Sequence, residues 1–375
     1  MYLREGKNMN NAYIFYGRYY DFEKKNVTIG GIQTYIANLC ELCAELGMAP
    51  CVVQKGTSDE EIELDFYRVV QYAAGDLKTW EETVEKKLLP QTDREKDLFI
   101  FATDTIIFSK LQFPRSIAIQ HGIFWDIPKK SNRSLFRVLL SKGKRAYRNI
   151  RALQRVGRVV CVDYNFVNWY RTQVETPADN FSVVPNFAPI LPPAEKPEGP
   201  VRLIFARRLF SYRGTHIFTE AVQRLLDEGT NIHVTIAGTG EDEAWMRGRL
   251  DAYENVEFTV YESADSLKIH QNQHVAVVPT VGSEGTSLSL LEAMSAGCAP
   301  ICTNVGGMTN IVIDGYNGLM VSPNADALYQ AMKSLVEDGA LRLRLAEKAR
   351  ETVCLGFSYD KWKDEWLKIL RGAMA

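Results

Sequence analysis

Two carboxylates, Glu284 and Glu292, stand with seven residues between them in the run Val278–Gly297. An apolar segment ends at Pro279, a loop of small residues follows, and the spacing predicts a helix from near Ser287 to Gly297. A helix N-terminus offers unpaired N–H groups and the positive end of a dipole, which suit a diphosphate. Gly285, Thr286 and Ser287 lack bulk, so backbone can approach a ligand there, and the two carboxylates can accept hydrogen bonds from sugar hydroxyls. Taken alone the run is also consistent with a plain helix carrying a solvated glutamate and a capping serine. A second group narrows the choice. Arg208 and Arg213 leave one strand end ahead of Gly214, and guanidinium forks match phosphate oxygens bidentately.

The first half holds further candidates. Gly30 and Gly31 open a helix after a strand and loop, where backbone can approach phosphate or an acceptor; a simple helix-start turn is the alternative. His121 ends the strand-like run Ser116–Gln120. Asp163 and Asn165 follow another strand and either face an acceptor or cap a helix. No Asp-x-Asp occurs, and the lone C-x-x-C of Cys40 and Cys43 lacks the further ligands a zinc site needs, so no metal is expected and the seven cysteines read as reduced thiols.

Positioning these groups requires sheets with their strand ends at a cleft. Tyr13–Tyr16, Ala49–Gln54, Leu98–Ala102, Ser116–Gln120 and Arg158–Val162 read as buried strands separated by amphipathic helices, a pattern of parallel sheets covered on both faces. Six prolines between Pro185 and Pro200 mark a linker, after which the pattern restarts with Arg202–Ala206, His233–Ala237, Val256–Val260, Val275–Pro279, Ala299–Thr303 and Gly318–Val321. The predicted division is a first domain over 1–188, a linker over 189–199, a second domain over 200–357 and a terminal helical segment over 358–375. In that last segment Trp362, Trp366 and Leu370 form an apolar stripe. Such α/β sheets bind ligands beyond the carboxyl ends of their strands.

The totals fit. A chain of 375 residues, 46% hydrophobic and 24% charged, can bury two cores. A formal net charge of −2 does not suggest a nucleic-acid binder. Residues 129–158 depart from this average, with eleven Lys or Arg and no acid, and with Phe136, Leu139, Leu140, Tyr147, Ile150 and Leu153 at helical spacing. This reads as a basic amphipathic helix or helix pair suited to an anionic membrane surface, or as a packed helix with a solvated basic face. No run is apolar enough to span a bilayer, and the N-terminus lacks a signal peptide's apolar centre. The expected location is cytoplasmic, possible contact being peripheral at the inner face of the plasma membrane.

In order along the chain, Arg208…Arg213-Gly214, Gly238-x-Gly240, Glu284…Glu292 and Gly306-Gly307 resemble the motifs of the GT-B-fold retaining glycosyltransferases of family 4, within glycosyl transferases group 1. The resemblance covers essentially the whole chain and is strongest over 201–323. It implies an α/β, GT-B architecture: two Rossmann-like doubly wound domains facing across a cleft, with the C-terminal helix crossing back to the first. It implies that Arg208 and Arg213 hold the pyrophosphate of a nucleotide-sugar donor and that Glu292 binds ribose hydroxyls. Glu284 would contact the transferred sugar, with Gly285, Thr286, Ser287 and Leu288 around it. The base would lie against 260–263, including Tyr261. His121 would contact the sugar without acting as a base, and Gly30, Gly31 and Asn186 would line the cleft towards a glycan or glycolipid acceptor, with Asp163 on the acceptor side. Arg213 replaces a usual Lys, and Thr286-Ser287 replaces Phe-Gly. No cofactor is implied. Rival readings are a nucleotide-sugar epimerase or phosphorylase on the same fold, or a non-catalytic protein that binds membrane or anionic polymer.

Overall fold

The computed structural model describes residues 10–28, 30–127, 134–174, 178–190, 192–261 and 265–374. Ile29, the part of the basic segment up to residue 133, and residues 262–264 of the expected base-binding segment lie outside them.

Each half of the chain forms its own sheet. From edge to edge the first sheet runs Phe181–Val183, Arg158–Cys161, Ser116–Gln120, Leu98–Phe101, Asn11–Tyr16, Ala49–Gly56, Arg68–Ala73 and Glu60–Glu63. Every pairing is parallel except the last. The second sheet is wholly parallel, in the order Val256–Thr259, Ile232–Ala237, Val201–Ala206, Val275–Val278, Ala299–Thr303 and Leu319–Val321. In both sheets the domain's first strand sits in the middle and the order reverses beside it. That reversal is the doubly wound arrangement, and the crevice at the reversal is where such sheets take ligands.

Alternation builds two cores around the first sheet. Ala12 and Ile14 face one layer, with Ile36, Leu39, Cys40 and Cys43 of the helix Gly31–Glu45. Tyr13 and Phe15 face the other, an aromatic cluster with Trp80, Phe99, Phe101, Phe108 and Phe113. The C-x-x-C pair is thus core, and among the described residues all seven cysteines are free. The sequence reading lacks Arg68–Ala73, Glu60–Glu63 and Phe181–Val183. Glu60–Glu63 carries charge because it closes the exposed sheet edge, where charged residues discourage pairing with another chain; Arg68–Ala73 beside it is largely buried.

After the second domain's helix Gly339–Gly356, the terminal helix Tyr359–Met374 returns to the first core. Trp362, Trp366 and Leu370 are buried there, and the Trp366 indole donates to the Tyr35 hydroxyl at 2.7 Å. Replacing Trp366 removes a fully buried ring and strands that hydroxyl. Trp366→Ala is expected to lower the unfolding free energy by about 3–5 kcal/mol, read by urea denaturation followed by circular dichroism.

Candidate active site

The strand Val201–Ala206 is followed by two arginines that differ in burial. Arg207 is buried and Arg208 exposed. The Arg207 guanidinium crosses the reversal of the second sheet: Nη1 donates to Thr280 Oγ1 at 2.6 Å, just past the strand Val275–Val278, and Nη2 to Glu284 Oε2 at 2.7 Å. Thr280 Oγ1 in turn donates to the same carboxylate oxygen at 2.9 Å, and Arg213 Nη1 binds it from the turn Ser211–Arg213. Glu284 is thus a buried carboxylate whose pKa is held below the usual value by Arg207, Arg213 and the Thr280 hydrogen bond, despite burial that pushes the other way. The loop leading to it carries Ser283 at φ 56°, a left-handed conformation unusual for a side chain with Cβ.

Arg207 is the residue the sequence reading missed. It stands immediately before Arg208, the first residue of the motif Arg208…Arg213-Gly214. The available signal was that position, at the carboxyl end of the strand, where such sheets take ligands. Arg207, Arg208 and Arg213 against Glu284 leave two positive charges at one place, matching the two negative charges of a diphosphate bridge.

A cleft of about 430 Å³ brings together Arg207, Arg208, Arg213, Glu284 and the segment Gly285–Ser289 with Gly30, Gly31, His121 and Asn186 of the first domain. The helix after the loop, Leu288–Ser295, points its free N–H groups into this cleft. Ser287 occupies the N-cap position without making a side-chain cap bond. Glu292 and Tyr261 are not on the cleft wall: Glu292 lies a turn into the helix, hydrogen-bonded by Ser266 and near Tyr261. Asp163 is also off this wall. It caps the helix Tyr164–Arg171 by accepting from the amides of Asn165 (2.8 Å) and Phe166 (3.2 Å), and it lines a second cavity by the interdomain crossings.

The first domain reaches the cleft through His121. Its Nε2 meets the Ala102 carbonyl at 2.9 Å, and a carbonyl only accepts, so Nε2 carries the proton. Burial lowers its pKa to about 4. The ring is neutral at pH 7 with Nδ1 as a bare acceptor.

The loop of Glu284 is also where the domains touch. Thr286 Oγ1 donates to the Val162 carbonyl, Asn186 Nδ2 donates to the Thr286 carbonyl at 2.7 Å, and the Tyr164 amide donates to Asn310 Oδ1 at 3.0 Å. Gly122, at φ 107°, packs so close that a Cβ would sit 3.0 Å from the Gly285 nitrogen, and a Cβ on Gly285 would sit 2.8 Å from the His121 carbonyl oxygen. Neither position accommodates a side chain without parting the domains.

Burial raises the Glu292 carboxyl from 4.5 to about 7. The native state therefore binds this proton more tightly than the unfolded chain, so the stability associated with it is complete below about pH 4.5 and lost as pH climbs to about 7. Glu292→Gln cannot ionise. Its melting temperature relative to the native protein is expected to rise over that window and level off above it, as measured by calorimetry across the pH range. An offset independent of pH would contradict the assignment.

Residues 188–352 match the family described as Glycosyl transferases group 1. An uncharacterized glycosyltransferase of Methanocaldococcus jannaschii is 27% identical over 177 residues, 46% of this chain and 45% of that protein. The lipopolysaccharide core biosynthesis glycosyltransferase LpsE of Rhizobium meliloti is 27% identical over 231 residues, 60% of this chain and 58% of that protein. The chain thus spans about half the length of these curated relatives. Among solved structures, Anabaena HepE in complex with UDP-glucose superposes with a TM-score of 0.71 over 96% of this chain and 99% of that one, at 14% identity, a likeness of fold. Residues 188–352 of this chain thus match the glycosyl transferases group 1 model, and the whole has the GT-B fold of two Rossmann-like domains.

Proposed function

We propose that this chain is a retaining glycosyltransferase of family 4 that moves a hexose or deoxyhexose from a nucleoside-diphosphate sugar to a glycan or glycolipid acceptor in bacterial cell-surface glycan assembly. The observation that carries the reading is a cluster of three arginines in the interdomain cleft beside a helix N-terminus: buried Glu284 pairs with Arg207 and Arg213, and exposed Arg208 adds the second uncompensated positive charge. HepE was crystallised with UDP-glucose, and LpsE is described as a lipopolysaccharide core enzyme; both descriptions fit this use of the cleft.

As the glycosidic bond to the diphosphate breaks, negative charge grows on the leaving phosphate, and Arg208 and Arg213 stabilise it where it grows. Preorganised charge of this kind lowers the barrier without reorganisation at the moment of reaction. His121, neutral and with Nδ1 as acceptor, receives a hydrogen bond from a sugar hydroxyl and is too weak a base to deprotonate the acceptor. The acceptor's proton passes to the leaving phosphate on the same face of the sugar, which gives retention. The ribose hydroxyls are assigned to Glu292, which lies one turn into the helix beyond the residues lining the cleft, so on this reading the nucleoside extends past them along that helix. The guanidinium groups supply the countercharge, so this reading requires no metal and no cofactor.

The helix Leu135–Leu153 adds a location. Its C-terminal part is anchored, with Leu153 buried and Asn149 donating to Asp104 at 2.6 Å. Its N-terminal half instead exposes Leu135, Phe136, Leu139 and Leu140, beside Arg137, Lys142, Lys144 and Arg145. An apolar patch flanked by cations suits the anionic inner face of a membrane, where each basic residue near the surface contributes about 1 kcal/mol. No described helix is long and apolar enough to cross a bilayer.

Two experiments test these readings. UDP, GDP, ADP and dTDP and their sugars are screened for thermal stabilisation, since a ligand that binds only the native state raises its melting point; turnover is then followed with the donor that stabilises best. Glu292→Ala is expected to weaken donor binding and Arg208→Ala to lower kcat with little change in donor KM. No stabilisation by any nucleotide, or epimerisation of the donor without acceptor, contradicts the transferase reading. In the second experiment, Phe136→Ser/Leu140→Ser is expected to reduce cosedimentation with phosphatidylglycerol vesicles about tenfold, on the order of 1.4 kcal/mol. Undiminished binding contradicts the membrane assignment.

A further inference from the structure

The donor cleft uses the reversal point of the second sheet. The first sheet has its own, between Asn11–Tyr16 and Leu98–Phe101, and a groove of about 680 Å³ opens there. Tyr16, Gly17 and Arg18 leave the first of these strands, Thr103 and Thr105 follow the second, and Lys55 comes from the neighbouring strand Ala49–Gly56. Open α/β sheets take ligands at this position.

Two features give the groove a chemistry. It is continuous with the donor cleft, because Tyr16 and Gln33 line both, and the Tyr16 phenol lies within electrostatic reach of Arg208 across the cleft. Its wall also carries two cations, Arg18 and Lys55, and no carboxylate. Lys55 makes no ion pair among the described residues. Arg18 is paired only through Asp21 at 2.8 Å, with its own side chain 71% exposed, a weak association in water. The acid nearest in sequence to the wall, Asp104, is turned inward to Asn149 and buried. Thr28, Thr103 and Thr105 add hydroxyl groups.

We propose that this groove is the acceptor subsite and that it selects a sugar bearing an anionic substituent, a phosphate or a carboxylate, held by Lys55 and Arg18 while the accepting hydroxyl lies at Tyr16 facing the donor. The proposal rests on the transferase reading above for the word acceptor. The anion preference stands on the groove alone. Lys55 and Arg18 bind the substituent, the threonines and Gln33 meet ring hydroxyls, and Tyr16 orients the acceptor at the junction of the two spaces.

The probes are methyl glucoside, methyl glucuronide and glucose 6-phosphate, titrated by NMR into the full chain saturated with the nucleoside diphosphate that stabilises it best, so that the donor cations are already occupied. If no nucleotide binds, the transferase reading fails on that arm, and the same titration run without nucleotide still tests the groove. Both anionic sugars are expected to bind at least about tenfold more tightly than methyl glucoside. A charge-assisted contact of roughly 1.4 kcal/mol gives that ratio. Lys55→Gln/Arg18→Gln is expected to abolish the preference while leaving nucleotide affinity and melting temperature unchanged. Equal binding of charged and neutral sugars, no binding of the charged ones, or a preference that survives the double substitution overturns the proposal. Binding of glucose 6-phosphate but not of the glucuronide narrows the substituent to phosphate; the reverse narrows it to carboxylate, and either supports it.

Discussion

One buried carboxylate organises the centre of this protein. Glu284 Oε2 collects Arg207, Arg213 and Thr280 on a single oxygen. Taking a carboxylate out of water costs several kcal/mol, and the cost is offset only when partners satisfy it with good geometry. Here they do, and they come from three separate places: the end of the strand Val201–Ala206, the turn after it, and the end of the strand Val275–Val278. The ion cluster therefore ties together the two strands that flank the reversal of the second sheet. It also fixes the Arg207 and Arg213 guanidinium groups in advance, so a diphosphate arriving in the cleft meets oriented charge there.

The same loop carries the contact between domains. Immediately after Glu284 come Gly285, which lies against the His121–Gly122 backbone, and Thr286, held by Val162 and Asn186 of the first domain. Orientation of the cations and approach of the domains are coupled through three consecutive residues. The linker reinforces this. Lys196 donates to the carbonyls of Gln271 at 3.0 Å and Ala296 at 2.8 Å, satisfying the C-terminal ends of two helices of the second domain. The terminal helix, returning to bury Trp362 and Trp366 beside Tyr35, forms a second strap across the gap.

Much of this was legible in the residues. Strands rich in Val, Ile and Phe announce themselves because they are buried on both faces, and Ser116–Gln120 and Ala299–Thr303 have the boundaries the sequence gives them. Glu60–Glu63 was not legible because an exposed edge tolerates charge, which mimics a loop. Periodicity identified an amphipathic helix within 129–158, but a moment has no absolute direction: it could not say that Phe136 and Leu140 face solvent while Leu153 faces the core. The pairing of Glu284 with Arg207 and Arg213 spans 77 and 71 positions along the chain, and no local pattern encodes it. For Asp163 the residues left two readings open, acceptor contact or helix cap, and the structure shows the cap.

The central claim is that the guanidinium cluster exists to receive a diphosphate. The most direct measurement is a crystal structure of the protein soaked with the nucleoside diphosphate it binds best. The account requires phosphate oxygens within hydrogen-bond distance, about 2.7–2.9 Å, of Arg208 and Arg213 at the start of the helix Leu288–Ser295, with Glu284 still bound to Arg207. Phosphates lodged outside the interdomain cleft, with both arginines untouched, would contradict it.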